Sequence, residues 1–92
     1  MQKIMKEFTY KPEKREKVLT ERWIDLEIIA HMIKEWSYIW IMQVPSRPYQ
    51  KMFVLYYDNY VCCVPYDEDD KYVYLRTAYY SRKMKKLLDG NN

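Results

Sequence analysis

An α+β fold is what this sequence predicts, and three observations lead to it. Apolar residues recur at three- and four-residue spacing between positions 25 and 36. Four later runs rich in β-branched and aromatic residues are joined by short turns, and a basic amphipathic stretch, SRKMKKLL, ends the pattern at 81–88. The expected order is β-α-α-β-β-β-β-α, an antiparallel sheet with the helices packed mainly on one face. At 92 residues the chain has room for one core, so 1–92 reads as a single domain with a short tail at 89–92.

Each element has a local reason. Residues 1–10 place Ile4, Met5, Phe8 and Tyr10 between charges, as in a short edge strand. Pro12 suits a helix's first turn, and early Glu13 and Glu16 with later Lys17 and Arg22 match the helix dipole, predicting a helix over 12–21 with Val18 and Leu19 inward. Asp25 caps the next helix, whose stripe is Leu26, Ile29, Ile33 and Trp36, widened by Ile28 and Met32. Residues 38–44 form a strand stopped by Pro45, and 45–49 are a loop. A hairpin joins 52–57 to 60–64 through Asp58-Asn59, two residues that tolerate the left-handed conformation. After Pro65 comes an acidic turn at 67–70, then a strand over 72–79 and a helix capped by Ser81, with Gly90 as its stop.

Composition narrows the chemistry. The net charge of +3, from 16 Lys+Arg against 13 Asp+Glu, permits an acidic partner without requiring one. Adjacent Cys62 and Cys63 point to opposite faces of an extended chain, so they neither pair nor chelate together, and they read as buried structural thiols. With no long apolar run, the expectation is a cytoplasmic protein that engages no membrane. His31 is the only histidine, lies off the apolar stripe and belongs at the surface. No phosphate-binding loop, nucleophile elbow or metal-ligand spacing occurs, so neither cofactor nor metal is expected.

The last strand is the chemically interesting one. Without a bulge, alternation puts Val73, Leu75 and Thr77 inward and Tyr72, Tyr74, Arg76 and Tyr80 on the other face. Tyrosine rings can stack bases while a guanidinium forks onto a phosphate, and Arg82, Lys83, Arg47 and Lys51 could extend that patch. A solvated amphipathic face, with Arg76 in an ion pair, is the other reading of the same residues. Eleven tyrosines exceed what so small a core can satisfy, so some face water or a ligand. RNA cleavage fits these residue types because the substrate brings its own nucleophile, the 2′-hydroxyl, and the protein need only orient it and stabilise the phosphate. Trp36, Trp40 and Met42 exceed what the core accepts and are expected to form an apolar patch for a partner.

Lys17, the run Glu21-Arg22-Trp23-Ile24-Asp25-Leu26-Glu27, Tyr49-Gln50-Lys51, Tyr60 through Val64-Pro65-Tyr66, Tyr74-Leu75-Arg76-Thr77 and Tyr80-Ser81-Arg82-Lys83 together resemble the BrnT-like toxins of bacterial type II toxin–antitoxin modules. The likeness runs from about residue 8 to 88 and lies in order and spacing. It implies a RelE-like fold, metal-independent endoribonuclease activity and neutralisation by a DNA-binding antitoxin; the expected assembly is a homodimer or a toxin–antitoxin hetero-oligomer. The likeness places Arg22, Arg76 and Arg82 at basic positions of the family; with the chemistry of the last strand, the candidate catalytic residues are Arg22, Arg76, Tyr80 and Arg82, with Lys17, Arg47, Lys51, Tyr72, Tyr74 and Lys83 holding RNA. Trp23 stands where the family usually has Gly, and Tyr80 where many members have Pro. A catalytically inactive module that binds RNA or antitoxin is the alternative.

Overall fold

A computed structural model describes residues 6–38 and 40–88. Its elements are Glu7–Thr9 (β1), Pro12–Arg22 (α1), Leu26–Lys34 (α2), Trp40–Val44 (β2), Arg47–Tyr57 (β3), Tyr60–Glu68 (β4), Tyr72–Leu75 (β5), Tyr79–Tyr80 (β6) and Arg82–Leu88 (α3). The strands form one six-stranded sheet in the order β1-β5-β4-β3-β2, with β6 paired to β4. Helix and strand are therefore mixed as expected, but the sheet is not purely antiparallel. β1 runs parallel to β5, with Glu7 opposite Tyr72 and Thr9 opposite Tyr74.

The β3–β4 hairpin turns at Asp58 and Asn59, with φ of 55° and 65°, the left-handed pair that a two-residue turn requires. Both strands are longer than their apolar runs. β3 begins at Arg47, so the expected loop at 45–49 shrinks to a turn at Pro45-Ser46, and β4 continues through Pro65 to Glu68. Asp67 and Glu68 consequently lie in a strand, and the acidic turn is confined to residues 69–71. The Asp69 carboxylate closes it by accepting from the Lys71 and Tyr72 backbone N–H at 2.9 and 2.8 Å.

The expected strand over 72–79 is broken. Tyr66 pairs with Leu75, but Cys63 pairs with Tyr79, so three steps along β4 are matched by four along the facing chain. The extra residue is a bulge at 76–78. Pro65 explains its position. Its carbonyl accepts from the Arg76 N–H at 2.9 Å, and in a strand a residue's N–H and C=O point the same way, so the donor that proline lacks is missing on this edge. The bulge reverses alternation. Ala78 is buried where Thr77 was expected, Tyr79 turns to one face, and Tyr80 moves to the face of Val73 and Leu75 instead of joining Tyr72, Tyr74 and Arg76.

Two clusters of buried side chains cover opposite faces of the sheet. The larger joins Phe53, Leu55, Val64, Tyr66, Val73 and Leu75 to Val18 of α1 and to Leu26, Ile29 and Ile33 of α2. The smaller joins Met52, Val54, Val61 and Cys63 to Met84, with Leu88 packed against it. α3 thus sits on the face opposite α1 and α2, correcting the expectation that the helices gather on one side. Cys62 and Cys63 are buried in different clusters, as alternation requires.

Helix details follow from capping. The Asp25 carboxylate accepts from the Glu27 N–H at 2.9 Å, and Ser81 Oγ accepts from the Met84 N–H at 3.1 Å. α2 ends before Trp36, whose φ of 63° takes the chain out of the helix, so Trp36 is partly exposed rather than core. Leu19 is also exposed, whereas Val18 is buried. Ile4, Met5, Ile39 and Gly90 lie outside the described residues. Among the described residues no helix is long and apolar enough to cross a membrane.

Candidate functional site

The bulge at 76–78 opens one wall of a groove of about 760 Å³. α1 supplies Lys14, Lys17, Glu21 and Arg22, the β2–β3 turn region supplies Arg47 and Gln50, and the bulge supplies Arg76 and Thr77, beside Asp67 and Tyr79. Five cationic side chains thus line the groove with two carboxylates. Lys14, Lys17 and Glu21 fall at three- and four-residue spacing with Arg22 next to Glu21, which puts them on one helical face.

Arg22 ties the helix to the bulge. Its Nη1 donates to Thr77 Oγ1 and to the Ala78 carbonyl, each at 3.1 Å. Arg76 Nε donates to Asp67 Oδ2 at 2.5 Å, and Gln50 Nε2 donates to Asp67 Oδ1 at 3.4 Å. Asp67 therefore has both oxygens engaged. Glu21 has no ion pair or side-chain hydrogen bond among the described residues.

The sequence-derived site residues separate into groups. Lys17, Arg22, Arg47 and Arg76 share the groove. Tyr80 and Arg82 line a neighbouring hollow with Arg22, Trp23, Asp58 and Tyr60, so Arg22 is the residue common to both. Lys51 is elsewhere, its Nζ 3.5 Å from Glu68 Oε2. Tyr72 and Tyr74 line a separate hollow with Asp69, Asp70 and Lys71, and Tyr74 donates its hydroxyl to Asp69 Oδ2 at 2.9 Å. Lys83 is exposed on α3, and His31 is exposed on α2, away from the groove.

Burial sets the proton chemistry of the phenols. It raises the Tyr79 pKa above the ordinary value, and it does the same for Tyr80, with the Asp58 charge adding to the effect there. Both phenols remain protonated at neutral pH and can donate, but neither is a base. Sequence reasoning missed Lys14, Glu21, Trp23, Tyr60 and Tyr79. The helical spacing of Lys14, Lys17 and Glu21 was a legible signal, whereas Tyr79 reaches the groove only through the bulge.

Among the described residues no group of three or more His, Cys, Asp and Glu side chains could hold a metal ion. Comparison of the chain with models of known families, with curated proteins and with solved structures gives no match.

Proposed function

We propose that the chain binds RNA in the basic groove and cleaves it without a metal, as a toxin of the BrnT-like, RelE-related kind neutralised by a cognate antitoxin. The observation that supports this reading is the convergence of Lys14, Lys17, Arg22, Arg47 and Arg76 on one groove beside an unpaired carboxylate, Glu21. Clustered cations neutralise a polyanionic backbone. Glu21 takes the proton of the 2′-hydroxyl as that oxygen attacks phosphorus. The bond from phosphorus to the 5′-oxygen breaks, leaving a 2′,3′-cyclic phosphate, and the departing oxygen takes a proton from a phenol such as Tyr79. Arg22 and Arg76 stabilise the crowded phosphate.

The test is incubation of the purified protein with RNA in EDTA, with the ends of the fragments analysed. Cyclic phosphate and 5′-hydroxyl termini, lost in Glu21→Gln, are expected. Intact RNA at high protein concentration would overturn cleavage. A second reading, an RNA- or antitoxin-binding module without catalysis, is favoured by the Arg76–Asp67 pair, which holds the guanidinium through its Nε. Salt-sensitive RNA binding with no cleavage would select it.

A further inference from the structure

Trp23 is 83% exposed, and neither packing nor capping accounts for its ring. It follows α1 with φ 60° and ψ 32°, and its N–H donates to the Leu19 carbonyl. The left-handed conformation there is strained for a bulky residue, and glycine would adopt it freely. Any residue with a backbone N–H could make the capping bond. The indole is therefore carried at some expense in stability, in a conformation that holds it outside the core, and strain of this kind collects at ligand-binding positions.

Its surroundings are chemically specific. The hollow of about 500 Å³ beside it is lined by Arg22, Tyr60, Tyr80, Arg82 and Asp58. Tyr60 and Tyr80 pack edge to face with centroids 5.5 Å apart, making an aromatic wall to the hollow that Trp23 also lines, and Lys85 Nζ lies 5.7 Å from the Tyr60 centroid. Arg22 also lines the basic groove. Both Nη1 hydrogens of Arg22 are committed to Thr77 and Ala78, so Nη2 and Nε are left to meet a ligand. A cationic groove leading through an arginine into an aromatic hollow fits a chain of phosphates carrying unpaired planar bases.

We propose that Trp23, with Tyr60 and Tyr80, is a stacking site for one unpaired nucleobase of a single strand whose phosphates lie in the groove. Arg22 is the joint between the two subsites, and Arg82 faces the next phosphate. This inference rests on the groove being an RNA site and names the form of substrate it takes: single-stranded, since a base held in a duplex must first be unpaired and unstacked to reach the indole. Ring stacking discriminates weakly among bases, so the hollow selects for strandedness more than for sequence.

Trp23→Gly tests it, because that substitution removes the ring while relieving the left-handed strain. Binding is measured by anisotropy for two labelled strands of equal length, a single-stranded RNA and its abasic sugar-phosphate counterpart, alongside a thermal melt. The wild type should bind the base-bearing strand about tenfold more tightly, within the range for one stacked base. Trp23→Gly should melt at or above the wild-type temperature and lose that preference, while its affinity for the abasic strand is unchanged. Trp23→Phe should keep part of the preference. If the wild type binds both strands equally, or Trp23→Gly keeps the full preference, the stacking site is overturned and the groove stands. If neither strand binds, the groove fails as an RNA site and the stacking site fails with it.

Discussion

Arg76, in the bulge that follows β5, reaches Asp67 of β4, the guanidinium Nε donating to Oδ2, with both side chains roughly half exposed. A pair this accessible to water contributes little to stability, about 0–1 kcal/mol, yet it decides whether the guanidinium is available to a phosphate. Arg76→Ala should leave the melt nearly unchanged and lower RNA cleavage by ~10²-fold for loss of one oriented donor. Arg76→Lys should fall between, since it keeps the charge and loses the fork. Asp67→Asn should strengthen RNA binding by freeing the arginine. A large fall in melting temperature with either arginine variant would instead make the pair structural.

The Arg22 tether to the bulge gives a second prediction. Thr77→Val removes one of the two acceptors of Nη1 and leaves the Ala78 carbonyl. RNA affinity should fall by a few-fold, in line with a net hydrogen-bond contribution of about 1 kcal/mol. Arg22→Lys should lose more, because an ammonium cannot hold both acceptors and still present a second edge to a ligand. Titrations with a fixed RNA at constant salt would rank the two variants.

Acid stability should depend on Asp25. Arg15 grips its carboxylate with Nε to Oδ1 at 2.8 Å and Nη2 to Oδ2 at 3.0 Å. That contact, opposed by burial and aided by the Glu27 N–H, lowers the Asp25 pKa below its ordinary 3.8. A depressed folded-state pKa stabilises the fold at every pH above the ordinary value and loses that contribution as pH falls through the folded pKa. Wild type should therefore lose stability below about pH 4 through this group, and Asp25→Asn should show a flatter acid limb. Asp25→Ala, which also loses the cap of α2, should cost about 2 kcal/mol at neutral pH in denaturant melts.

The cysteines give a fourth prediction. Burial pushes the Cys62 thiol up to about 12 and raises that of Cys63 as well. The thiolate is the reactive form, so disulfide reagents at pH 8 should label neither residue in the folded protein. Labelling should follow the unfolding rate and accelerate in denaturant. Prompt reaction of one thiol in native buffer would show that its side of the sheet opens locally.

Periodicity and turn chemistry made much of the architecture readable. Asp25 and Ser81 cap helices as their types suggest, and Asp58-Asn59 makes the left-handed turn. What escaped was long-range. Nothing local to residues 7–9 specifies a parallel partner more than sixty residues away, because parallel pairing is set by where the rest of the sheet leaves an open edge. Pro65 is legible in the sequence as the end of its own strand. Its effect falls on the facing chain, where the missing donor shifts Tyr79 and Tyr80 by one position and scatters the expected row of Tyr72, Tyr74, Arg76 and Tyr80. The basic residues of α1 joined the site because helical spacing survives such shifts.

The pairing of β1 with β5 has a consequence in time. Glu7 donates its N–H to the Lys71 carbonyl at 3.0 Å, and Lys6 reaches Glu68 at 2.9 Å, so the contacts of β1 wait on residues made long after it. Closing so large a loop is entropically unfavourable until the hairpin of β3 and β4 has formed and β5 has docked on it. During synthesis β1 emerges without a neighbour, and the edge of β5 stays open until β1 returns to it. Completing the sheet is thus a late event made by three residues, which cover β5 and leave the short β1 as the outer strand in its place.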